Sequence, residues 1–134
     1  PTPAPNLEDI WRTGFLRFHL KDELLRAIVY CGFMVPTKVQ LECIPLAIEG
    51  KDVICEIDSK GKTSSFVIST LHNLEPIDGI VSILVVVPNR EMASTVVNEY
   101  ERFSKYLKPI KIGEFVIPIK RSEALFEKEC PHIV

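Results

Sequence analysis

Apolar positions along the chain switch between helical spacing and short unbroken runs, which predicts helices and strands in alternation. Residues 1–14 carry three prolines and no sustained period, so they read as an N-terminal arm. Phe15 and Phe18 stand just ahead of a first helix over about residues 21–31, with Leu24, Ile28 and Cys31 on one face and Gly32 as its stop. Pro36 excludes helix before it, while Thr37 with Gln40 fits a capping box. A second helix therefore starts there and reaches Gly50, disturbed by Pro45. Val53, Ile54 and Cys55 form a short strand leading through a polar turn to Gly61, Lys62 and Thr63. Phe66, Val67, Thr70 and Leu71 then share one face of a third helix.

Residues 82–87, Ser-Ile-Leu-Val-Val-Val, form a continuous apolar run of the kind found in strands buried on both faces of a parallel sheet. Helices are accordingly expected on both sides. Pro88, Asn89, Arg90 and Glu91 make a turn, after which Ala93, Val96, Val97, Tyr100, Phe103 and Leu107 recur at helical spacing through about residue 106. Residues 110–117 read as another strand, 122–129 as a short capped helix and 131–134 as the opening of one more strand. The alternation predicts an α/β fold, a parallel sheet flanked by helices and incomplete at its C-terminal end, with ligands beyond the carboxyl ends of the strands.

Composition narrows this picture. A chain of 134 residues, 46% hydrophobic and 25% charged, suits one domain with a modest core. Its net charge of −2 exerts no global pull on nucleic acid, so any such contact needs a local basic patch. Cys31, Cys43, Cys55 and Cys130 are scattered with no C-x-x-C spacing and read as buried free thiols of a reducing compartment. His19, His72 and His132 are scattered too, so neither set points to a metal site. The longest apolar run is far too short to span a bilayer, and no membrane partner is expected. The start at Pro1 without methionine reads as a processed or excised piece.

The chemistry lies in residues 52–70, where strand, turn, Gly61-Lys62-Thr63 and helix follow in the order of a phosphate-binding loop. Such loops work because backbone N–H groups and a helix N-terminus attract phosphate, while lysine reaches the terminal phosphates and the hydroxyl reaches magnesium. The full fingerprint wants glycine five positions before Gly61, where Glu56 stands. Gln40, taken by its local spacing, is a capping residue.

Phe15, the Gly32-Phe33-x-x-Pro36-Thr37-x-x-Gln40 block, Gly61-Lys62-Thr63 and Pro88-Asn89-Arg90-Glu91-Met92-Ala93 together resemble the first RecA-like domain of DEAD-box RNA helicases. The phrases Glu23-Leu24-Leu25-Arg26-Ala27-Ile28-Val29, Glu99-Tyr100-Glu101-Arg102-Phe103 and Cys130-Pro131-His132-Ile133-Val134 are most similar to the subfamily acting in splicing and nuclear mRNA export. The resemblance covers about residues 15–134. It implies that Gln40 bonds the adenine edge and that Phe15 stacks on the base. It also implies that Gly61, Lys62 and Thr63 hold the phosphates of ATP, with Mg2+ on Thr63, and that Pro88, Arg90 and Glu91 contact single-stranded RNA. Protein partners in splicing and export, a nuclear location and shuttling to the cytoplasm follow from the same resemblance.

Departures from the family pattern define a second reading. Ser59 replaces a loop glycine, Glu56 and Asp58 add negative charge, the loop is one residue short, and Phe115-Val116 stand at the Gly-Gly doublet. No Asp-Glu-x-Asp box or Ser-Ala-Thr box occurs in the 134 residues, so the isolated chain is not expected to hydrolyse ATP. The alternative is a degenerate helicase-like scaffold for a protein partner in RNA processing. In either reading an open sheet edge favours self-association.

Overall fold

The computed structural model describes residues 5–56, 61–115, 128 and 130–134. Five α-helices appear among them: α1 (Leu7–Arg12), α2 (Asp22–Tyr30), α3 (Lys38–Ile48), α4 (Lys62–Asn73) and α5 (Arg90–Phe103), with a 3-10 turn at Gly14–Phe18. The four long helices start and stop within a few residues of the expected positions because each carries its own signal. Thr37 and Gln40 form the complete capping box of α3. Asn89 accepts from the Met92 amide at 2.8 Å and caps α5. Inside the stretch expected to be an arm, α1 is capped by Asn6 but buries no residue, and six residues are too few to show a period in the sequence. The short helix expected over 122–129 falls largely outside the described residues.

One cluster forms the core. Leu24 and Ile28 of α2, Ile44 of α3, Val67, Ile68 and Leu71 of α4, and Val96, Tyr100 and Phe103 of α5 meet Phe15, Phe18 and Ile133. Fully burying side chains of this size stabilises by about 1.5–3 kcal/mol each. Aromatic rings run through it edge to face, Phe18 to Phe15 at 5.8 Å, Phe15 to Phe33 at 6.2 Å and Phe33 to Phe103 at 5.5 Å. The ladder ties the 3-10 turn to the end of α5. α3 packs on α4 and α4 on α5. The Tyr100 phenol meets the Thr70 hydroxyl at 2.8 Å, and burial pushes its pKa up.

The sheet expectation requires two corrections. Parallel pairing occurs, but only as isolated bridges of Ile133 with Ile83 on one side and with Ile112 on the other. Val134 donates to the Ile83 carbonyl at 2.9 Å, and Gly113 donates to Ile133 at 2.8 Å. The middle segment offers both neighbours only the few residues 130–134, so no extended ladder forms among the described residues. Residues 53–55, expected as a strand, carry no bridge, and 116–117 lie outside the described residues. Nor, among the described residues, do helices cover both faces. Ile83, Val85 and Val87 pack against the core, whereas Leu84 and Val86 are 73% and 85% exposed. A continuous apolar run marks both faces as greasy without saying which one a helix occupies.

Behind α4, the half-buried His72 accepts the Lys21 backbone N–H at Nδ1, 3.2 Å away, while the Lys21 ammonium donates to the Leu74 carbonyl at 2.9 Å. Burial, and after it the Lys21 charge, pushes the His72 pKa below the ordinary 6.5. The folded chain thus holds His72 neutral where the unfolded chain protonates it, so this contribution to stability is complete above 6.5 and is lost as pH falls through that value. Urea midpoints between about pH 7.5 and about pH 5.5 should fall less steeply in His72→Gln than in the parent chain. Equal slopes would remove His72 from the acid response.

Candidate functional site

The capping box that starts α3 also builds the floor of a cavity. Gln40 is fully buried, and its Oε1 accepts the Thr37 amide at 2.7 Å while its Nε2 donates to the Ser64 hydroxyl at 2.8 Å. Ser64 and Ser65 in turn donate to the Gly61 carbonyl at 3.2 and 2.6 Å. One amide therefore fixes the N-terminus of α3 to the first turn of α4. A side-chain amide can make four hydrogen bonds, so one acceptor and one donor position of Gln40 remain.

Gly61 is required by the same contact. Its φ is +104°, and a Cβ there would lie 2.5 Å from the Thr37 Oγ1. Only glycine tolerates both the left-handed backbone and the approach. No side chain caps α4, which begins at Gly61. An uncapped N-terminus with lysine beside it favours anions.

The cavity above this joint has a volume of about 740 Å3. Gly32, Phe33 and Thr37 line it from the turn before α3, Gln40 from α3, Gly61, Lys62, Thr63 and Ser64 from the start of α4, and Thr95, Glu99 and Arg102 from α5. Lys62 is exposed and Thr63 half-buried. The Arg102 guanidinium lies 5.2 Å from the Phe33 ring centre and binds Glu99 at 2.8 Å. Among the described residues no group of three or more His, Cys, Asp or Glu side chains could hold a metal. Thr63 lines the cavity beside Lys62.

The structure brings Gln40, Gly61, Lys62 and Thr63 to one cavity; the spacing of Gln40 points only to a cap, and its place beside the loop is implied by the family resemblance. Phe15 is different. It is fully buried between Phe18 and Phe33 and does not line the cavity, because its ring is consumed by the core. The aromatic ring on the wall is Phe33. Pro88, Arg90 and Glu91 are exposed at the start of α5 and away from the cavity lining, and among the described residues Arg90 has no ion pair. Glu56 is exposed, Phe115 half-buried, and Asp58, Ser59 and Val116 lie outside the described residues. Thr95, Glu99 and Arg102 were not foreseen, since nothing in a helical stripe tells which polar edge faces another helix.

Solved structures share this arrangement of elements. Dbp5 of S. cerevisiae, bound to RNA and ADP BeF3, superposes with a TM-score of 0.68 at 24% identity, covering 75% of this chain and 26% of that one. Prp28 of Chaetomium thermophilum, bound to ADP, gives 0.72 at 23% identity, covering 99% and 32%. The fold is thus that of a RecA-like helicase lobe, of the α/β class. Residues 37–134 match the DEAD/DEAH box helicase model, and the chain belongs to the DEAD/DEAH box helicase family. It is 48% identical over 143 aligned residues to human ATP-dependent RNA helicase DDX39A, covering 99% of this chain and 34% of that protein. With DEAD-box ATP-dependent RNA helicase 56 of Oryza sativa subsp. japonica it shares 49% over 128, covering 93% and 30%. The chain spans about a third of the length of these relatives.

Gln40→Ala should lower stability by about 2 kcal/mol, since it removes both bonds of the joint and leaves the Thr37 amide and Ser64 hydroxyl short of partners. Urea denaturation reads this directly. An unchanged midpoint would mean that the two helices are held by other contacts.

Proposed function

We propose that this chain is the N-terminal part of an ATP-dependent RNA helicase acting in pre-mRNA splicing and mRNA export. Residues 15–134 are its portion of the first RecA-like lobe, and residues 1–14 precede that lobe as an arm. The observation that carries the reading is the joint of Thr37, Gln40, Ser64 and Gly61 beneath a cavity that Lys62 and Thr63 enter. It offers adenine an unused donor and acceptor on Gln40, and offers phosphate an uncapped helix N-terminus with a lysine.

In this reading Lys62 takes the terminal phosphates of ATP and Thr63 shares its Mg2+. Pro88, Arg90 and Glu91, exposed on the turn into α5, take the backbone of single-stranded RNA, where a guanidinium suits phosphate. The names of the relatives support it, DDX39A being an ATP-dependent RNA helicase and Dbp5 having been captured with RNA and ADP BeF3. A nuclear location with shuttling, and protein partners of splicing and export, belong to the same proposal. With no Asp-Glu-x-Asp box in its 134 residues, the isolated chain binds nucleotide without hydrolysing it at a useful rate. Titration of a fluorescent ADP analogue with Mg2+ should saturate, and Lys62→Ala, an exposed change, should weaken binding about tenfold or more. No saturation by a folded sample would overturn nucleotide binding.

The second reading, a scaffold for a protein partner, draws on exposed Glu56 beside the loop and on the uncovered apolar residues Ile54, Leu84 and Val86. The same apolar residues support self-association. Sedimentation at tens of micromolar should show dimers that Leu84→Lys with Val86→Lys abolishes. A parent chain that sediments as a monomer would refute self-association.

A further inference from the structure

A second, smaller cavity adjoins the nucleotide cavity and contains two thiols. Its volume is about 300 Å3, and Cys43 of α3, Cys55 of the chain entering the loop, and Lys62, Ser65 and Phe66 of α4 line it. Lys62 lines both cavities. Cys43 lies one helical turn beyond Gln40, and Cys55 lies two residues before 57. Both are free thiols and half-buried, not buried as the sequence led one to expect, and both line this cavity. We propose that Cys43 and Cys55 form a reversible oxidation site, at which a hydroperoxide joins them in an intrachain disulfide that ties α3 to the entry of the phosphate loop and weakens nucleotide binding.

The stoichiometry closes. The Cys55 sulfur attacks the peroxide oxygen, giving a sulfenic acid and releasing the alcohol, or water from hydrogen peroxide. The Cys43 sulfur then displaces the sulfenic hydroxyl, which leaves as water with the Cys43 proton, and the disulfide forms. Two thiols are oxidised by two electrons and one peroxide O–O bond is reduced. Burial first, and the adjoining Cys55 second, push the Cys43 pKa up. Its sulfur therefore stays protonated at neutral pH, which fits it to the second step rather than the first. Cys31 sits instead beside Arg102 and Glu99, and Cys130 next to Pro131; neither lines this cavity.

The consequence for nucleotide rests on the function proposed above, whereas the thiol pair does not. The 134-residue chain, treated with hydrogen peroxide and then alkylated, should yield one linked peptide pair, Cys43 with Cys55, lighter by two hydrogens and restored by dithiothreitol. Cys43→Ser and Cys55→Ser should each abolish it, and the double variant Cys31→Ser with Cys130→Ser should retain it. Two alkylated thiols after peroxide, or a link through Cys31 or Cys130, would overturn the site. The oxidised chain should bind the ADP analogue about tenfold more weakly than the reduced chain, and equal affinities would overturn the coupling. A reduced chain that links on oxidation but binds no nucleotide would overturn the nucleotide reading and leave the oxidation site standing.

Discussion

The buried amide of Gln40 is the constraint on which the rest of the site depends. With no exposure to water, each of its polar ends must find a partner inside the protein or cost about 1–3 kcal/mol. It finds the Thr37 amide at the head of α3 and the Ser64 hydroxyl in the first turn of α4. That requirement fixes two helix N-termini against one another, and Gly61 must lack a side chain for them to meet. The placement of Lys62 and Thr63 is therefore set by a residue from a different helix, so the Gln40 and Lys62 ends of the cavity are mechanically one unit.

Stability is drawn from the helices rather than from the sheet. The three parallel segments meet at isolated bridges, which supply few hydrogen bonds, each worth about 0.5–1.5 kcal/mol net. Against that stand the fully buried Phe15, Leu24, Ile28, Ile44, Ile68, Leu71, Tyr100 and Phe103, most of them contributed by α2 to α5. A core on one side of the segments leaves Leu84 and Val86 bare, and apolar side chains left in water are the physical motive for a partner.

What was legible in the sequence follows the same division. Helix limits were legible because caps are local, as with Thr37, Gln40 and Asn89 within one turn of the residues they serve. The clustering of Gly61, Lys62 and Thr63 at the start of α4 was legible because the three are contiguous. Gln40 was legible twice, as a cap and through the family resemblance, and the geometry shows the capping bonds satisfied together with the bond to Ser64. Phe15 misled, because an aromatic residue before a helix is equally a core residue, and only the ring ladder through Phe18, Phe33 and Phe103 decides between the two. Arg102 and Glu99 were illegible as site residues, since their arrival at the cavity depends on the packing of α5 over α4. Sheet regularity failed for a similar reason, because strand propensity in 82–87 says nothing about the length of the segment that pairs with it.

In the nucleotide reading proposed above, Arg102 would also bear on how a base enters the cavity. Its guanidinium lies 4.8 Å from the Phe103 ring centre and 5.2 Å from that of Phe33 and is held by Glu99, with both charged side chains partly open to solvent. At such exposure each cation–π contact is worth about 0.5–1 kcal/mol, and a helical pair three residues apart about 0.2–0.5 kcal/mol. Moving the guanidinium off both rings and off Glu99 therefore costs about 1–2.5 kcal/mol, whereas stacking a base on an aromatic face gains about 1–3 kcal/mol. The two are comparable, so a base would be sandwiched against the guanidinium rather than displace it. Arg102 thus keeps the Phe33 ring from being a bare apolar wall without closing it, and α5 contributes Thr95, Glu99 and Arg102 to the cavity even though Arg90 and Glu91 at its start do not line it.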